Sequence, residues 1–155
     1  MSLHGSCVAL DEQGVLILGP SGSGKSDLVL RLLGRGWDLV ADDQVEVAAA
    51  DGALLAEAPA PLRGMLEIRG LGLMQDLPSK GPVRLRLVAR LLPEGAPMPR
   101  LPAPASYEAL GLSLPMVALH GLRASAPDRL GFALAAACGR ARMAAGAFET
   151  GDALA

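Results

Sequence analysis

The sequence predicts an α/β domain with a mixed β-sheet, a helix entered from a glycine-rich loop, and a second helix near the C-terminus. Three observations predict it. Residues 19–26, Gly-Pro-Ser-Gly-Ser-Gly-Lys-Ser, match G-x-x-x-x-G-K-[ST] and stand between the apolar run Val15-Leu16-Ile17-Leu18 and a helix-patterned segment at 27–35. Several later stretches alternate apolar and polar residues with the period of a strand. Residues 127–143 carry Leu130, Leu134 and Cys138 along one helical stripe behind Pro127. From the chain's own content of 19 Gly and two Lys, about 0.002 accidental matches to the loop motif are expected, so the motif is not a product of composition.

Taken in order, residues 4–10 read as a short apolar strand, and Asp11-Glu12-Gln13-Gly14 turns the chain back into the Val15 strand, a hairpin leading into the loop. That hairpin puts His4 at one end of a strand beside the one that feeds the loop. Read alone, His4 is a solvated residue near a terminus. Within the loop, Gly19, Pro20, Ser21, Gly22, Ser23 and Gly24 offer backbone N–H groups to a phosphate. Lys25 reaches the β- and γ-phosphates, and the Ser26 hydroxyl is placed for Mg²⁺. Twelve of the fourteen basic residues are Arg, so a Lys kept in the loop points to a need for a compact ammonium.

The helix at 27–35 opens with an acid, Asp27, at its positive end, carries Arg31 and Arg35 late, and buries Leu28, Val29, Leu32 and Leu33. Residues 37–41 form a strand ending in the paired acids Asp42 and Asp43, both expected partly buried at the strand end where α/β proteins keep their chemistry. Strands at 44–50 and 53–58 pair across the Asp51-Gly52 turn, and Pro59 and Pro61 end the second. Residues 66–73 read as an edge strand with a Glu67–Arg69 salt bridge. Residues 82–92 read as a half-buried strand with Arg84, Arg86 and Arg90 on one parity and Val83, Leu85, Leu87, Ala89 and Leu91 on the other. Five prolines make 93–104, which includes Arg100, a loop. Residues 117–120 form one more short strand, and the chain from Ala144 frays.

A 155-residue chain that is 51% hydrophobic suits one domain over 1–155. The formal net charge is −2 and no two basic residues are adjacent, which argues against nucleic acid as a partner. With no basic leader and no apolar run of membrane-spanning length, a cytoplasmic protein without a membrane partner is expected. Cys7 and Cys138 are expected as two buried thiols, and the few aromatics offer no stacking platform for bases.

The P-loop at 19–26, the upstream His4-Gly5, the run Arg35-Gly36-Trp37-Asp38-Leu39-Val40-Ala41-Asp42-Asp43 and the run Leu66-Glu67-Ile68-Arg69-Gly70-Leu71-Gly72 together resemble the catalytic domain of the HPr kinase/phosphorylase family. The last run is far more specific than the P-loop alone. The resemblance implies a P-loop kinase-like domain in a short form holding the C-terminal catalytic domain only. It implies a protein-serine kinase that uses ATP and Mg²⁺ on a serine of HPr, an HPr-like phosphocarrier of the sugar phosphotransferase system, and that can remove the phosphate by phosphorolysis with release of pyrophosphate. It further implies that Lys25 and the loop hold the phosphates and that Ser26 and Glu67 bind Mg²⁺. His4, Asp42, Asp43 and Arg100 become catalytic candidates, with one acid as general base and the other as partner to metal or His4. The family's Pro-Gly-Arg-Asn element, linked to dephosphorylation, is represented by Ala126-Pro127-Asp128-Arg129, so kinase activity is expected to outweigh phosphorylase activity. A homo-oligomer, a hexamer in long-form relatives, is one option for this chain. Two other readings share the loop: a P-loop kinase for a small molecule, and a nucleotide-binding regulatory module without transfer.

Overall fold

The computed structural model describes residues 1–148, and among these a nine-stranded mixed sheet carries the fold. In chain order the elements are β1 (Ser2–His4), β2 (Ser6–Leu10), β3 (Gln13–Leu18), α1 (Lys25–Leu33), β4 (Asp38–Ala41), β5 (Gln44–Ala50), β6 (Ala53–Glu57), β7 (Leu66–Ile68), β8 (Gly72–Met74), β9 (Val83–Leu91), β10 (Ala105–Ala109), β11 (Leu112–Leu119) and α2 (Ala126–Ala137). The sheet runs β1-β5-β6-β9-β3-β2-β4. On the β6 side, β11 continues along the far half of β9 and carries β10. Only β9 with β3 and β9 with β11 are parallel, while β7 and β8 form a separate two-stranded hairpin. No helix among the described residues is long and apolar enough to cross a membrane.

The curl of this sheet creates two apolar layers. One, between sheet and helices, holds Val15 and Ile17 of β3, Leu28, Val29 and Leu32 of α1, and Leu130 and Leu134 of α2. The other, on the opposite face, gathers Cys7, Leu16, Val45, Val47, Leu54 and Leu85. β3 contributes to both, which is why its sequence is a nearly continuous apolar run. α1 turns Leu28, Val29 and Leu32 inward, and each such fully buried side chain stabilises the fold by about 1.5–3 kcal/mol.

Several boundaries differ from the sequence expectation. The strand at 4–10 breaks at Gly5, where a Cβ would lie 2.8 Å from the Ile17 carbonyl oxygen, so a residue without a side chain is required for the chain to pass there. His4 is therefore carried by β1 and pairs across to Gln44 of β5, away from β3. α1 spans Lys25–Leu33 instead of 27–35, because Gly24 at φ 96° already turns the chain into it. Residues 66–73 fold as the β7–β8 hairpin; Glu67 and Arg69 form no ion pair, since Gly70 at φ 83° turns the chain at Arg69.

The strand at 82–92 is a central strand with neighbours on both sides. A bulge places Gly14 opposite Leu85 and Val15 opposite Leu87, leaving Arg86 as the extra residue. Beyond it the faces swap: Leu85 and Val88 share one layer, while Leu87, Ala89 and Leu91 join the other. A strict alternation over 82–92 therefore misplaces half the strand. β10 is absent from the sequence expectation and β11 is longer than 117–120, because Pro115 sits inside the strand pattern. α2 stops at Ala137, ahead of 143, with Gly139 at φ 75° ending it. The segment from Ala144 does not fray as far as Phe148, which packs into the helix-side layer; residues 149–155 lie outside the described part.

Candidate active site

β3 delivers the chain to the P-loop and α1 carries it away, so the loop sits at the C-terminal end of a central strand. Gly24 in the left-handed region serves as the helix N-cap and its carbonyl accepts the Leu28 N–H at 2.8 Å. Lys25 Nζ donates back to the Gly19 and Pro20 carbonyls at 2.7 and 3.1 Å, which holds the ammonium over the loop it starts from. Ser23 is buried beside Gly19, and its Oγ has no hydrogen-bond partner among the described residues. A buried hydroxyl left unpaired costs about 1–3 kcal/mol, so a loop carrying one is suited to a ligand with acceptor oxygens.

The paired acids part company. Asp42 is 8% exposed and accepts from two serines, Ser6 Oγ at 2.7 Å and Ser26 Oγ at 3.0 and 3.1 Å. Ser6 is fully within the core on β2, so its hydroxyl fixes the carboxylate from below while Ser26 ties it to α1. Asp43 lies on the outside, its side chain 73% exposed, with Oδ1 3.5 Å from Nδ1 of a similarly exposed His4. What separates them is a three-residue turn: the Gln44 N–H donates to the Asp42 carbonyl oxygen at 2.9 Å, with Asp43 at φ 70°. The Gly5 N–H donates to the Asp43 carbonyl at 3.1 Å, so the strand break at Gly5 and the turn at Asp43 lock each other. A non-glycine residue at such a φ costs of order 1–3 kcal/mol, and such strain concentrates at functional sites.

The structure thus brings together Lys25, Ser26, Asp42, Asp43 and His4, and adds Ser6, which the sequence reading missed. A serine next to glycine at the start of an otherwise apolar strand was the available signal. The expectation that both acids are partly buried is corrected, since Asp43 is exposed. Glu67 is exposed on β7, which packs against α1 through Leu66, and it makes no hydrogen bond or ion pair with the cluster. Arg100 is exposed in the proline-rich loop and likewise has no bond to it.

The Ser26 hydroxyl and Asp42 carboxylate are hard oxygen donors of the kind Mg²⁺ takes. Among the described residues no three His, Cys, Asp or Glu side chains cluster as a metal cage, and such a partial set fits Mg²⁺, which completes its shell with phosphate oxygens and water. Cys7, one residue from Ser6, is fully buried and its thiol is pushed up to about 12 by desolvation, so it is an inert core group; Cys138 is half-buried.

The chain is similar to known proteins. The HPr kinase/phosphorylase of Clostridium tetani is 48% identical over 77 residues, covering 50% of this chain and 25% of that protein. That of Limosilactobacillus reuteri is 50% identical over 74 residues, covering 47% of this chain and 23% of that protein. The matched stretch thus spans about a quarter of the length of these curated relatives. The solved HPr(Ser) kinase/phosphatase from Coxiella burnetii superposes with a TM-score of 0.72 at 26% identity, over 84% of this chain and 91% of that one. The fold is accordingly that of the P-loop kinase-like domain, a curled mixed sheet with a C-terminal helix. The model of the HPr serine kinase C-terminal domain matches residues 1–81, a span that holds His4, the P-loop, both acids and Glu67, and the chain belongs to that family.

Proposed function

We propose that this chain is an ATP-dependent protein-serine kinase whose substrate is an HPr-like phosphocarrier protein. The observation that carries the reading is the division of labour between neighbouring acids: Asp42 is buried against Ser26 and Ser6, while Asp43 is exposed beside His4. Lys25 and the loop N–H groups hold the β- and γ-phosphates, and the orphaned Ser23 hydroxyl is a further donor toward them. Ser26 and Asp42, together with the exposed Glu67 of the β7–β8 hairpin, are the residues that would hold Mg²⁺, whose charge would offset that of the phosphates. Asp43 takes the proton of the attacking serine hydroxyl as the new phosphorus–oxygen bond forms and the bond to ADP breaks. His4, facing Asp43, orients that carboxylate. Arg100, exposed in the proline-rich loop, is the candidate for offsetting the charge of the transferring phosphoryl group.

Transfer to the serine outweighs the reverse reaction in this reading. Arg129 Nε donates to the Ser125 hydroxyl at 2.9 Å and Asp128 pairs with Arg35, so the residues standing at the dephosphorylation element are engaged in structure. Incubating the chain with Mg-ATP and purified HPr, and weighing the HPr by intact mass, tests the proposal. Gain of one phosphoryl group supports it. ATP hydrolysed with HPr unchanged means transfer to water and directs the search to a small-molecule acceptor, and ATP bound without turnover points to a regulatory module. Rapid pyrophosphate release from phosphoserine-HPr and phosphate would refute the bias in direction.

A further inference from the structure

The loop between β11 and α2, residues 120–125, comes to the P-loop from the other end of the chain and touches it at two consecutive residues. Gly121 passes so close that a Cβ on it would lie 2.9 Å from the Ser23 carbonyl oxygen and 2.7 Å from Leu91 Cδ1. The Leu122 side chain covers Gly24, where an added Cβ would meet Leu122 Cδ2 at 2.7 Å. Gly24 is the residue whose left-handed backbone starts α1 and so aims Lys25 and Ser26. Besides its own turn hydrogen bonds and the Arg129–Ser125 bond to α2, this loop is tied to α1 by one side chain: Arg31 Nη1 donates to the Arg123 carbonyl at 2.9 Å and Nη2 donates to the Gly121 carbonyl. Asp27, one turn earlier, accepts from Arg31 Nε at 2.9 Å and fixes the guanidinium plane. A planar fork can span two carbonyls at once, which a single ammonium does poorly.

We infer that Arg31 is a positioning residue for the nucleotide, acting through the 120–125 loop, which it straps across Ser23 and Gly24 so that the P-loop keeps its phosphate-binding shape. The inference rests on the nucleotide site of the proposed function and extends it to three residues outside the P-loop, Arg31, Gly121 and Leu122. Without the strap the loop samples other shapes. The phosphates then bind only the fraction that is competent, which raises the apparent dissociation constant and leaves the chemical step alone. Leu122 is 52% exposed, so its contact with Gly24 lies at the protein surface and outside the core.

Two measurements test this. In the nucleotide-free protein, amide hydrogen exchange over residues 22–26 should speed up about tenfold in Arg31→Met, a readout independent of ATP. In the Mg-ATP-bound state, the Kd for ATP and KM should rise about tenfold in Arg31→Met and about threefold in Leu122→Ala, with kcat within about twofold of wild type. Arg31→Lys should recover part of the loss, and Gly121→Ala, which pushes on the Ser23 carbonyl, should weaken ATP in the same direction. Arg35→Met, which removes the Arg35–Asp128 pair between α1 and α2, serves as control and should lower Tm without moving Kd or P-loop exchange. Unchanged exchange at 22–26 together with wild-type ATP affinity in Arg31→Met would overturn the inference. An equal rise in Kd for Arg35→Met would reduce Arg31 to general helix packing and overturn it too. Failure of the wild type to bind ATP at all, with exchange altered as expected, would instead sink the nucleotide reading while leaving the strap in place.

Discussion

Two regions of this molecule carry charged candidates in opposite ways. At the P-loop end, Asp42 is buried, accepts hydrogen bonds from two serines on two different elements, and cannot move without breaking them. Across the β7–β8 hairpin and the proline-rich 93–104 segment, Glu67 and Arg100 are exposed and bonded to nothing described. The difference teaches how far the fold itself fixes each candidate group. The first set is organised by the core, whereas nothing among the described residues fixes the side chains of the second. Substitutions in the first region should therefore affect fold and chemistry together, or chemistry alone where the group is exposed, and substitutions in the second should affect only concentration dependence.

The largest expected effect is Lys25→Ala, which removes the ammonium held over the loop. Phosphate transfer to HPr should fall by about 10³-fold or more and ATP binding should weaken, followed by intact mass and equilibrium binding. A variant with near wild-type turnover would undo the P-loop assignment.

Next come the two acids, which divide the comparison within a single dipeptide. Asp43→Asn should slow transfer and pyrophosphate-forming reversal alike by about 10²–10⁴-fold, because one carboxylate takes the proton in one direction and returns it in the other. Its Tm should stay unchanged, since Asp43 is exposed and Asn also tolerates a left-handed backbone. Asp42→Asn should instead cost about 1–3 kcal/mol of stability as well as activity, as a neutral amide replaces the charged acceptor of two serine hydroxyls. Equal melting temperatures for the two variants would break the contrast.

In the exposed region, Glu67→Gln should leave Tm unaltered and raise the Mg²⁺ needed for half-maximal transfer by about tenfold, since an amide lacks the charge a hard cation favours. An unchanged Mg²⁺ titration would make Glu67 a plain surface acid.

The smallest effect sharpens the buried side. Cys7 keeps its proton in the fold up to about pH 12, whereas the unfolded chain loses it near the ordinary value of 9.0. Its contribution is therefore complete below pH 9.0 and declines by about 1.4 kcal/mol per pH unit above it, until the folded thiol also ionises. Chemical denaturation at about pH 8 and pH 10 should show a shallower loss for Cys7→Ala than for wild type. Parallel losses would mean that Cys7 meets solvent in the folded state.

The sequence by itself determined whatever depends on near neighbours along the chain. The P-loop with its entering strand and leaving helix, and the Gln44–Ala50 strand with its Asp51-Gly52 turn, are short-range patterns, and each appears in the fold near its expected limits. Where glycine or proline changed the local geometry, at Gly5, Gly70 and Pro115, the expectation slipped. Only the tertiary structure decided the rest. The Arg86 bulge follows from matching β9 to β3 over their whole length, and the parallel β11 beside β9 joins residues that no local period connects. The separation of Asp42 from Asp43 is of the same kind. Two adjacent, chemically identical side chains became a buried acceptor and an exposed base candidate, because Ser6 with the neighbouring Gly5 N–H, and Ser26, reach them from two separate places in the sequence. Burial and hydrogen bonding belong to the assembled core, and a linear pattern records only which residues could take part in them.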